Sequence, residues 1–109
     1  MSKATSILPI PVKRESFDAI LAGTKKEEYR AFSPFWISRL ATMNDQGEIE
    51  SLREYDIVRF RHGSSSNSRM MDVEFKQIVI EEYTDEPEDS EERYGFAILL
   101  GEVLQTENV

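Results

Sequence analysis

The segment Phe96 to Val103 (FAILLGEV) places apolar residues on both parities of an extended chain. A strand with one wet face alternates, so a strand apolar on both parities is a central one, buried on both sides. The other strand candidates are arranged around this requirement. In Tyr55 to Arg61, Val58 and Phe60 point one way and Arg59 and Arg61 the other. Leu8, Ile10 and Val12 alternate with Pro9 and Pro11. Two prolines cannot donate to a ladder, which puts that strand at an edge or at a bend. Met70 to Tyr83 changes phase near Gln77, with Met71, Val73 and Phe75 on one parity and Ile78 and Ile80 on the other. Such a slip predicts a bulge or a barrel corner.

Two short helices interrupt the strands. Phe17, Ile20 and Leu21 lie on one face of Ser16 to Gly23, and Gly23 suits the left-handed residue just past a helix end. Lys26 to Arg30 then reads as a strand. Ser33 and Pro34 supply an N-cap and a first-turn proline for a helix from Pro34 to about Ala41, with Trp36 and Leu40 on one face. Residues 44–54 are polar and read as a surface loop, and His62 to Ser68 reads as a hairpin loop. The expected fold is mostly β (α+β). It is a partly closed pseudo-barrel of about five to six strands plugged by two short helices. Its 109 residues form one domain, with a core at about 7–104.

The net charge of −8 is local. Residues 81–92 carry eight acids and no base, whereas residues 1–80 sum to +1. The acidic loop, about 81–93, is expected to be a solvated segment that could repel nucleic acid from one side. A bulk polyanion binder is disfavoured, because phosphate neutralisation needs clustered Lys and Arg. The absence of Cys and the single histidine, His62, exclude disulfides, Cys nucleophiles and His-rich metal cages. No metal and no cofactor are expected. No run approaches the roughly 18 apolar residues of a membrane span. Met1 to Ser6 lacks the apolar core of a secretory signal, so the expectation is a cytoplasmic protein without membrane association.

The chemistry concentrates in Gly23-Thr24-Lys25-Lys26-Glu27-Glu28-Tyr29-Arg30, which fits G-x-K-x-x-E-x-R where a helix gives way to a strand. Gly23 lets the chain reverse with positive φ. Glu28 and Arg30, two apart on a strand, share a side. With Lys25 they form a set able to hold an anionic or polar planar ligand. The competing interpretation is a helix cap followed by a surface ion pair.

This motif resembles the signature of the ASCH domain, a relative of the PUA domain. Leu8 to Val12, Ser33 to Leu40, Tyr55 to Phe60 and Phe96 to Val103 resemble its first strand, its Trp-bearing helix and later barrel strands. The likeness spans about residues 7–104. It implies a PUA-like pseudo-barrel that binds RNA, a nucleotide or a modified nucleoside in a cleft. Lys25, Glu28 and Arg30 would line that cleft, and Gly23 would shape it. One branch of ASCH-like proteins consists of small amidohydrolases acting on acylated cytidine, through a Lys, a Thr and a Glu. By position these become Lys25, Glu28 and Glu74. A carboxylate in place of the Thr cannot act as a hydroxyl nucleophile. The alternative activity is therefore an acid/base hydrolase using Lys25, Glu28 and Glu74 on a modified nucleoside. A protein-interaction module using the acidic segment is a third possibility.

Other residues are expected to be structural first. Trp36 and Phe35 anchor a core or offer a stacking face. Arg59 and Arg61 form a solvated strand face or, with Arg69, extend a groove for phosphates. His62 is an exposed loop residue. Tyr29, opposite in parity to Glu28, is expected in the core.

Overall fold

The structure is a computed structural model and describes residues 5–63, 67–87 and 90–109. Ser64 to Ser66 of the expected hairpin loop and residues 88–89 of the acidic loop lie outside the described residues. In chain order the elements are β1 (Ile7–Pro11), α1 (Arg14–Leu21), β2 (Glu27–Ala31), α2 (Pro34–Leu40), β3 (Ala41–Met43) and β4 (Ile49–Leu52). They continue with β5 (Ile57–His62), β6 (Arg69–Glu82), one turn of 3-10 helix (Glu91–Arg93) and β7 (Tyr94–Glu107). Five strands form a sheet in the order β1-β5-β6-β7-β2, and β3 pairs with β4 in a separate two-stranded sheet. This is the mostly β, α+β class that the sequence predicts.

The chain divides into two compact units. The first comprises Met1–Lys26, Tyr55–Lys76 and Leu100–Val109. Here β1 runs parallel to β5, with Leu8 opposite Val58 and Ile10 opposite Phe60. All four side chains are buried, while Pro9 and Pro11 are exposed. The prolines lie on the end strand of the sheet, where a missing N–H breaks no ladder. Phe17 and Ile20 of α1 are buried in the same unit. β5 pairs antiparallel with the first half of β6, setting Val58 against Val73 and Phe60 against Met71.

The second unit comprises Glu27–Glu54 and Gln77–Leu99. β2 pairs antiparallel with the start of β7, from Glu27 opposite Leu99 to Ala31 opposite Gly95. Ser33 caps α2 by accepting from the Trp36 N–H at 3.4 Å, and Pro34 occupies the first turn. Leu40 and Ala41, where α2 passes into β3, are buried. Gly95 to Ile98 of β7 are buried at four successive positions, as the two-parity pattern requires.

Two expectations change here. Residues 44–54 are not simply a loop, because β4 pairs with β3 across a turn. Asn44 Oδ1 accepts from the Gln46 and Glu48 amides at 2.9 and 3.0 Å, and Gly47 has φ +78°. The acidic segment has no buried residue among those described, as expected, but parts of it are regular. β6 extends to Glu82, the 3-10 turn follows, and Arg93 bonds Glu82 at 2.6 Å and the Glu86 carbonyl at 2.6 Å. The phase slip in β6 falls where expected: Lys76 and Gln77 are exposed in succession before Ile78 is buried again.

Candidate functional site

The motif begins with a helix end. Gly23, at φ +80°, donates its N–H to the Ile20 carbonyl, and Thr24 donates to Ala19, both at 3.0 Å. This pair of bonds closes a helix through a left-handed residue, a conformation that glycine adopts without steric cost. The Thr24 hydroxyl and the Lys25 amide also donate to the Ala19 carbonyl, at 3.1 and 3.2 Å. Lys25, thus positioned in the first unit, donates from Nζ to the Ser16 hydroxyl at 3.1 Å.

Glu28 and Arg30 are brought together on β2 in the second unit. Glu28 is only 5% exposed, yet its carboxylate lies 3.1 Å from the Arg30 guanidinium. Burial of a carboxylate demands such a partner. The same two side chains engage the backbone of the residue between them. The Tyr29 N–H donates to Glu28 Oε1 at 3.1 Å, and Arg30 Nη1 donates to the Tyr29 carbonyl at 2.6 Å. Arg30 also lies over the Trp36 ring, 5.3 Å from its centroid. Trp36 is half-buried and Phe35 is exposed with Arg39 over its ring, so only Trp36 adjoins the motif.

Tyr29 is not in the core. It is 47% exposed, and its hydroxyl donates to Glu27. The buried parity of β2 is taken by Glu28, because the ion pair with Arg30 makes that burial tolerable. The Glu27 bond, reinforced by burial and by the negative charges of Glu27 and Glu81, pushes the Tyr29 phenol up to about 12.

Tyr29 and Arg30 open on a cleft of about 290 Å³ in the second unit, whose other walls include Phe32, Tyr83, Glu92 and Tyr94. Phe32 stacks on Phe96 at 5.1 Å and meets Tyr94 at 5.8 Å. Gly95 forms part of the lining because the Tyr83 ring lies against it. A Cβ at residue 95 would come within 2.9 Å of the Tyr83 hydroxyl. The 3-10 turn that carries Glu92 is capped by Ser90, whose hydroxyl accepts from the Glu92 amide at 3.1 Å. Phe32, Tyr83, Glu92 and Tyr94 escape sequence reasoning, since three separate segments supply them. The only sequence hint is the number of aromatics flanking the acidic run.

The remaining candidates are engaged elsewhere. Glu74, in the first unit, lies 3.5 Å from Lys76 and accepts from the Glu102 amide at 3.4 Å. Arg59 does not present a solvated face for phosphate. It forms a two-pronged ion pair with Asp72, at 2.8 and 3.0 Å, directly across the ladder. Arg69 bonds Asp18 at 2.7 Å and covers the Phe17 ring, while Arg61 is exposed and reaches the Met70 sulfur at 3.5 Å. His62 is half-buried on β5.

Among the described residues no group of three or more His, Cys, Asp or Glu is placed to hold a metal, and no helix is long and apolar enough to cross a membrane. No family model matches the sequence, and neither a curated protein nor a solved structure matches the chain.

Proposed function

We propose that this protein binds a nucleoside or nucleotide unit, free or in single-stranded RNA, in the cleft beside Arg30. One observation carries this reading. A motif arginine, held by Glu28 and backed by Trp36, opens on a cleft walled by four aromatic rings. A planar heterocycle stacks on such rings whatever its sequence context, and a guanidinium supplies directed donors for its carbonyl or ribose oxygens. The resemblance to ASCH domains points the same way. Fluorescence titration with adenosine, cytidine and short oligonucleotides tests the proposal. Saturable binding is expected, weakened about tenfold by Tyr94→Ala, the typical loss for one stacking ring. Absence of saturable binding to all of these probes overturns it.

A further inference from the structure

The charge around this cleft has a definite sign. The guanidinium in its lining, Arg30, is committed to Glu28 at 3.1 Å, and Arg93, which follows the lining residue Glu92 in sequence, to Glu82 at 2.6 Å. The acids beyond those pairs include Glu92 in the lining and Glu27, which accepts from the Tyr29 hydroxyl. The Glu27 hydrogen bond is the main cause that raises the Tyr29 phenol to about 12, with burial and the charges of Glu27 and Glu81 adding to it. Electron-rich rings beside carboxylates favour a cation over a neutral or anionic group.

Building on the nucleoside-binding reading, we propose that the cleft of Tyr29, Phe32, Tyr83 and Tyr94 selects a nucleobase that bears a fixed positive charge, as N-alkylated bases do, over the neutral base. Stacking serves both ligands. Attraction to the ring quadrupoles and to Glu92 is available only to the charged one. Tyr29 and Tyr94, 47% and 40% exposed, leave the mouth open, so the sugar can remain outside.

The test compares three probes: adenosine, the neutral methylated N6-methyladenosine, and 1-methyladenosine, which is cationic at neutral pH. 1-Methyladenosine is expected to bind about tenfold tighter than either neutral nucleoside, the preference being the size of a partly desolvated cation–π contact. Glu92→Gln, on an exposed residue, should bring that ratio toward one, with an unchanged melting temperature reporting intact folding. Equal affinity for all three probes overturns the charge selection and leaves nucleoside binding standing. N6-methyladenosine matching 1-methyladenosine overturns it too, because the methyl group rather than the charge is then recognised. If none of the three binds, the charge selection falls, and cytidine and the oligonucleotides decide the nucleoside-binding reading.

Discussion

Asp72 is the most deeply buried charged residue among the described residues. It is 1% exposed and accepts from Arg59 twice and from Gln105 at 2.7 Å. The Arg59 hydrogen bonds outweigh desolvation and hold its carboxyl below the ordinary range of about 3.9. A carboxylate whose folded pKa is depressed contributes stability above its unfolded pKa and loses it as pH falls through the folded one. Stability should therefore decline below about pH 4, and Asp72→Asn should flatten that acid limb. The same substitution leaves Arg59 without its carboxylate and should cost on the order of 2–3 kcal/mol at neutral pH. Thermal melts of both proteins between about pH 2 and neutrality check this. Parallel acid limbs would assign the acid sensitivity to another group. The Arg–Asp pair is invisible in one sequence because residues 59 and 72 meet only through strand register.

At the scale of elements, β2 ends the five-stranded sheet, and an end strand exposes unpaired backbone groups. The motif closes part of that edge itself, since Glu28 and Arg30 bond the Tyr29 N–H and carbonyl. The pair is the local ion pair of one sequence interpretation, and of its two members Arg30 also lines the cleft. Glu28→Ala should expose the Tyr29 amide, cost on the order of 1–3 kcal/mol and increase self-association. Amide exchange at Tyr29 and light scattering at rising concentration check this. Unchanged exchange would show that the edge does not depend on Glu28. The β3–β4 hairpin shows where element reading from sequence stops. Its strands are only 3 and 4 residues long, too short for a period to show, and the Asn44 and Gly47 turn chemistry is the better signal.

For the whole molecule, the charge of −8 and the engagement of the arginines bear on the proposed binding of RNA. Arg30, Arg59, Arg69 and Arg93 each lie within 3.1 Å of a carboxylate. With 13 Lys and Arg against 21 Asp and Glu, the chain as a whole can neutralise few phosphates. Binding of a short single-stranded RNA should show a shallow log–log salt slope, on the order of −1 to −3. A much steeper slope would reveal a basic surface and shift the ligand from one nucleotide to an extended backbone.

The sequence by itself determined the α+β class, the edge position of the proline strand, the doubly buried β7, both helices and the shared side of Glu28 and Arg30. Each follows from a period or a local cap spanning fewer than about ten residues. Only the tertiary structure decided that Tyr29 faces outward, that Arg59 serves Asp72, and that Phe32, Tyr83, Glu92 and Tyr94 share a cleft with the motif. Those facts depend on pairing between distant strands, and pairing is set by which partners make a buried charge or an open edge tolerable.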